Sequence, residues 1–239
     1  MVTLRKSGDR GHFDFGWLDT RHTFSFGEYQ DPAQMGFRSL RVLNEDRVQP
    51  GKGFGTHGHR DMEILTWVME GSLLHKDSLG TVGNLTPGIM QRMSAGSGIR
   101  HSEYNGSDSE PVHFYQIWIL PDRAGAAPAY EDRAFPPEGR RNRLQLLASP
   151  DGRDGSLKLF QDARAYVADI EAGTEVSWEL PEGRHAWVQA AKGAITLSAG
   201  TGESFALAEG DGAAVSGESR LRLRAGQGQA AQALLFELA

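Results

Sequence analysis

The chain has 239 residues, with 31 acidic against 25 basic side chains and a formal net charge of -6. It therefore lacks the basic excess of a nucleic-acid binder, and direct DNA binding is not expected. It has no cysteine, which excludes disulfides, thiolate ligands and a cysteine nucleophile and leaves imidazole and carboxylate for any metal.

Residues 1–15 carry Lys6, Asp9, Arg10 and Asp14 and no apolar core of signal-peptide length. No window approaches a membrane span, and a soluble, cytoplasmic protein is expected. Thirty glycines and short apolar runs predict a β-rich architecture with many turns. The N-terminal arm through Trp17, Leu18 and residues 22–27 alternates aromatic and polar residues, as short strands do. His22 reads as a hydrogen-bonded structural group. Strands are then predicted at 40–43, 63–69, 72–76, 88–93 and 112–120, with a glycine-rich loop at 50–55 and Pro121 as terminator.

Between residues 121 and 143 composition shifts to Pro, Ala, Arg and Glu, which reads as an interdomain connection. Further strands follow at 157–160, 165–170, 175–180, 186–190, 194–197, 221–224 and 233–238. The expected organisation is an N-terminal domain over 1–125, a connecting segment over 126–142 and a C-terminal domain over 143–239. An internal repeat supports it: a shift of 122 residues lays Gly51, Gly71, Gly80, Gly88 and Gly106 on Gly173, Gly193, Gly202, Gly210 and Gly228. The same shift sends His57 to Glu179 and His59 to Pro181, so the second copy keeps its turns and loses its imidazoles.

The chemistry concentrates between Gly51 and Asn105, in His57-Gly58-His59, Glu63 and His101-Ser102-Glu103. Residues i and i+2 of a strand share a face, so His57 can converge with His59, and His101 with Glu103. Provided no bulge intervenes, Glu63 has the same parity as His57 and His59, and parity cannot separate it from Glu103. Three imidazoles and up to two carboxylates suggest a mononuclear metal site. Phe54, Met62, Trp67, Tyr115 and Trp118 could line a pocket for a planar ring, although strand aromatics usually pack as core. His75 and His113 read as structural.

Gly51-x5-His57-x-His59-x3-Glu63-x7-Gly71 resembles the first cupin motif, and Gly96-Ser97-Gly98-x2-His101-x3-Asn105 the second, with Gly96 where many cupins have proline. More closely, His59-Arg60-Asp61-Met62-Glu63, Glu70-Gly71 and the run from Met93 to Glu103 resemble the pirin family, nearest its bacterial quercetin 2,3-dioxygenases. Gly58 stands where relatives often have proline.

The resemblance implies an all-β bicupin: two jelly-roll-like cupin barrels facing each other, with a metal only in the first. It implies His57, His59, His101 and Glu103 as ligands and Glu63 beside them, with Glu103 or Glu63 as catalytic base. The metal would be a divalent transition ion, iron(II) ahead of nickel, cobalt, manganese, copper or zinc. The implied reaction opens the heterocyclic ring of quercetin or a related flavonol with O2 and releases carbon monoxide. The alternative is a non-catalytic metal-binding regulatory or redox-sensing protein with a protein partner, and a sugar or nucleotide isomerase is a more distant possibility.

Overall fold

The computed structural model describes every residue except Thr201. The chain divides into two compact units, one made of residues 11–135 with 159–161, the other of residues 1–10, 136–158 and 162–239. Both are built almost wholly from strands. Among the described residues, no helix is long and apolar enough to cross a membrane.

The first unit has two antiparallel sheets. In spatial order, the larger runs Ala129–Ala134, Ile89–Ser94, Glu63–Glu70, Val112–Ile119, Leu40–Val48, Leu18–His22 and Gly11–Asp14. The smaller runs Gly53–His59, Ile99–Asn105, Leu73–Asp77 and Val82–Leu85. Val48, Val68, Val112 and Phe114 of the larger sheet pack with Leu73 and Leu85 of the smaller in one buried cluster. Each such side chain contributes about 1.5–3 kcal/mol on burial, and that core holds the sheets face to face.

Two sequence patterns serve two positions. The central strand Val112–Ile119 is β-branched and aromatic along its length and is buried at nearly every residue. The strand Ile99–Asn105 alternates instead, with Ile99, His101, Glu103 and Asn105 buried and Arg100 and Tyr104 exposed. Period two thus turns His101 and Glu103 inward together.

The strand Ala129–Ala134 lies within the stretch read from composition as a connection. It pairs with Ile89–Ser94 at the sheet edge, and its residues are half-buried or exposed. An edge strand needs backbone pairing more than an apolar face, so hydrophobic patterning does not reveal it.

The second unit repeats the plan, with sheets of seven and four strands. Its smaller sheet, Glu175–Glu179, Arg220–Ala225, Ile195–Ala199 and Glu203–Leu207, has the connectivity of the first unit's smaller sheet. The repeated glycines mark the shared turns: Gly51 and Gly173, Gly71 and Gly193, Gly80 and Gly202, and Gly88 and Gly210 all have positive φ.

Strand register refines the comparison at the imidazoles. His57 pairs with His101 and His59 with Ile99, whereas Val176 pairs with Leu223 and Trp178 with Leu221. The positions equivalent to His57 and His59 are therefore Val176 and Trp178, not the Glu179 and Pro181 of the linear shift. A register irregularity between His101 and Glu103 in the first unit accounts for one residue of that offset. Val176, Leu221 and Leu223 belong to the second unit's apolar core, so hydrocarbon fills that interior where the first unit has imidazole.

Candidate metal centre

His57 and His101 lie opposite each other on neighbouring strands, with His59 two residues further along. The Nε2 atoms of His59 and His101 are 3.0 Å apart, and those of His101 and His57 are 3.1 Å apart. Burial and the neighbouring imidazole lower the His59 pKa to about 4. Burial, followed by the charges of His57, His59 and His75, pushes His101 far below its ordinary value. The His59 and His101 rings are therefore held neutral, as metal ligation requires.

The outward nitrogens assign the tautomers. His57 Nδ1 lies 2.8 Å from the Gly55 carbonyl oxygen and donates to it, leaving the Nε2 lone pair facing inward. His101 Nδ1 is 3.4 Å from His75 Nδ1, and His75 Nε2 is 3.0 Å from Asp77 Oδ2. The other Asp77 oxygen accepts from the backbone N–H groups of Leu79 and Thr81 at 2.9 and 3.0 Å. Against the cost of burial, the His75 and backbone hydrogen bonds hold the Asp77 carboxyl below its ordinary pKa. An ionised Asp77 only accepts, so His75 donates from Nε2 and accepts at Nδ1, and His101 donates from Nδ1. The His101 Nε2 lone pair then points at the other two imidazoles.

Ring nitrogens converging at about 3 Å form a donor set that a cation can share. Metal–nitrogen bonds of about 2.0–2.1 Å span that separation at close to right angles. The residues present thus fit a divalent transition metal held on one face by three imidazoles, with further positions open.

Glu103 is buried beside this group, and both its oxygens lie within hydrogen-bonding distance of Gln116 Nε2, at 3.2 and 3.0 Å. The Gln116 amide is itself oriented, because its Oε1 accepts from Thr66 Oγ1 at 2.9 Å, and Thr66 Oγ1 accepts from Gln91 Nε2 at 3.0 Å. Burial raises the Glu103 pKa to about 7, opposed by Gln116 and reinforced by the charge of Asp46. Candidate ligand atoms of Glu103, His101 and His75 lie within 4.8 Å of one another, as do those of His57, His59 and His101. His101 is common to both sets.

Glu63 lies elsewhere. Its Oε2 accepts from Ser94 Oγ at 2.9 Å and from the Phe160 backbone N–H at 3.3 Å, and it is not among the residues lining the cavity at the imidazoles. The parity that linked it to His59 is interrupted: the strand ends at His59, and Asp61 adopts a left-handed conformation with φ 47°. Glu63 then opens a strand of the other sheet.

The cavity at the imidazoles, about 70 Å³, is lined in part by Phe26, Asn44, Asp46, Phe54, Glu103, Gln116 and Trp118. Of the aromatic candidates, Phe54 and Trp118 face it, while Trp67 and Tyr115 are fully buried and Met62 packs on the core around Ile64 and Ile99. His113 contacts Glu45 Oε1 at 3.0 Å, in keeping with a structural reading, whereas His75 stands against His101. Gln116, Asp77, Asn44 and Asp46 were not singled out from sequence. Only Gln116 left a signal, as a polar residue inside a largely apolar strand.

Two mainly antiparallel sandwiches, matching in the connectivity of their smaller sheets and with three imidazoles converging on the interior of one, define a bicupin. The chain belongs to the pirin family, matching Pirin over residues 3–119 and the quercetinase C-terminal cupin domain over residues 146–238. It is 44% identical over 239 residues to a quercetin 2,3-dioxygenase of Escherichia coli K12, covering 100% of this chain and 99% of that protein. A putative quercetin 2,3-dioxygenase of Pseudomonas aeruginosa is 41% identical over 94% of this chain and 95% of its own length. The crystal structure of the bacterial pirin YhhW of Escherichia coli in complex with nickel(II) superposes with a TM-score of 0.91 at 44% identity, covering 100% of this chain and 99% of that one.

Proposed function

We propose that the protein is a metal-dependent dioxygenase that opens the heterocyclic ring of quercetin or a related flavonol with O2 and releases carbon monoxide. The observation that carries this reading is the convergence of three imidazole nitrogens beside a buried carboxyl. The relatives named as quercetin 2,3-dioxygenases and the nickel(II) complex of a bacterial pirin agree with it.

His57, His59 and His101 would hold the metal, with Glu103 as the fourth ligand. When bound, the metal supplies a Lewis acid and a redox-active centre with positions open to oxygen donors. Iron(II) is the metal favoured by the family resemblance, and the donor set also accepts nickel(II).

Glu103 is the group we assign as base for the flavonol hydroxyl, because its carboxyl is buried among the residues lining the cavity at the imidazoles, where a hydroxyl approaching the metal would meet it. Gln116 Nε2 donates to that carboxylate and fixes where it points. Phe54 and Trp118 present aromatic surface to a planar substrate and exclude water. Glu63, engaged by Ser94 and Phe160, is assigned to holding the chain rather than to proton transfer.

The test is aerobic incubation of protein loaded with iron(II), nickel(II), cobalt(II) or manganese(II) with quercetin, following its visible absorbance and carbon monoxide. Turnover is expected, and Glu103→Gln should lower kcat by about 10²–10⁴-fold. Absence of turnover with every metal would overturn the dioxygenase reading.

A further inference from the structure

The cavity at the imidazoles, about 70 Å³, cannot enclose a three-ring flavonol, since pockets for molecules of that size span about 300–1,000 Å³. A second cavity of about 250 Å³ shares Phe26, Asn44, Asp46 and Phe54 with it. We propose that this second cavity receives the pendant hydroxyaryl ring of the substrate, with the Asn44 side-chain carbonyl accepting a hydrogen bond from a ring hydroxyl. The proposal rests on the flavonol reading above and specifies how that substrate is selected.

The shape suits a flat ring. Phe13 and Phe15 stand parallel, with centroids 6.0 Å apart and planes 6° from each other, and the His22 ring lies 5.5 Å from Phe13. Phe26 meets His22 edge-on at 5.2 Å on one side and Trp118 at 5.2 Å on the other, so it stands between the two cavities. Phe15 is 55% exposed, an uncovered aromatic on the cavity wall.

Polarity points the same way. Asn44 is 3% exposed, and its Oδ1 has no hydrogen-bond partner. A buried acceptor without a donor is destabilising, and a ligand hydroxyl would relieve it. On the metal side, the buried Nε1 of Trp118 is a donor without an acceptor. The paired cavities thus want an acceptor oxygen beside the imidazoles and an O–H donor further in. A flavonol offers this arrangement, with its carbonyl on one ring and hydroxyls on the pendant ring.

Strand alternation builds this wall. Asn44 and Asp46 share a face of Leu40–Val48, with His22 and Thr20 in register on one side and Gln116 and Phe114 on the other. One short stretch of strand therefore serves both cavities.

The experiment compares kcat/KM for quercetin, for 3-hydroxyflavone, which has no hydroxyl on the pendant ring, and for 3-hydroxychromone, which lacks the pendant ring. Asn44→Leu should lower the quercetin to 3-hydroxyflavone ratio about tenfold. Phe13→Trp, which fills the cavity, should lower the quercetin to 3-hydroxychromone ratio by at least as much. Ratios unchanged in both variants, or equal losses on all three substrates, would overturn the proposal. If the wild-type protein turns over none of them, the dioxygenase reading fails separately. Calorimetric titration of quercetin into metal-loaded protein then decides: weaker binding by both variants, with unaltered melting, supports the cavity assignment, and no binding or unaltered affinity overturns it.

Discussion

Asp77 lies two hydrogen bonds from the centre and sets the direction in which His101 faces. It does so because a carboxylate accepts on both oxygens, one from His75 and the other from the Leu79 and Thr81 amides. An asparagine offers one acceptor in place of two, so either the loop amides or His75 would meet an N–H group instead. If His75 then donates from Nδ1, it opposes the proton on His101 Nδ1. Asp77→Asn is therefore expected to weaken metal binding by about 10–100-fold, read by competition with a chromophoric chelator, with an altered ¹⁵N shift for His101. Equal affinities in variant and wild type would sink the relay. The three imidazoles were legible as ligand types from their spacing and the lack of cysteine. Asp77 was not, because its role comes from a turn that returns the chain to His75. His75 itself, read as structural, becomes informative only through its contact with His101.

Within the elements, turns carry most of what the repeat made visible. Gly71 has φ 79°, and a Cβ there would lie 2.7 Å from the Pro111 carbonyl oxygen; Gly193 has φ 66°, and a Cβ would lie 2.6 Å from the Ala230 oxygen. Gly51 has φ 63° but open space around it. Gly71→Ala and Gly193→Ala should each cost more than Gly51→Ala, for which the left-handed backbone alone costs about 1–2 kcal/mol. Denaturant unfolding midpoints at constant m-value check the ranking, and equal losses at all three positions would show that the close approach to the carbonyl is unimportant. The period-two pattern read from residues 99–105 correctly turns His101 and Glu103 to one side. Its extension to Glu63 required an unbroken strand, and the left-handed Asp61 interrupts this one.

At the scale of the first unit as a whole, buried ionisable groups pull stability in opposite directions with pH. Burial raises Asp46 to about 7 from 3.8, partly offset by the Thr20 hydroxyl and reinforced by the charges of Glu45 and Asp19. The folded state therefore binds the extra proton between about pH 4 and 7, and stability falls as pH rises through that window. His59, lowered to about 4, acts inversely: the unfolded chain binds the proton between about 4 and 6.5, so stability rises with pH there. Asp46→Asn removes the first contribution together with the part of the Glu103 shift that the Asp46 charge supplies, and both act in the same direction. The Tm of the metal-free variant should rise relative to wild type between pH 4.5 and 8, and a constant difference in Tm would refute a raised Asp46. By itself, the sequence determined the all-β class, the duplicated turns, the family and the imidazoles, since these follow from strand periodicity, glycine positions and local spacing. Only the tertiary structure decided that Glu63 engages Ser94 and Phe160, that Val176 and Trp178 stand where the first unit has His57 and His59, and that Asn44 and Asp46 line a second cavity. Each depends on register between strands distant in sequence and on hydrogen bonds made through space, which composition and spacing along the chain do not record.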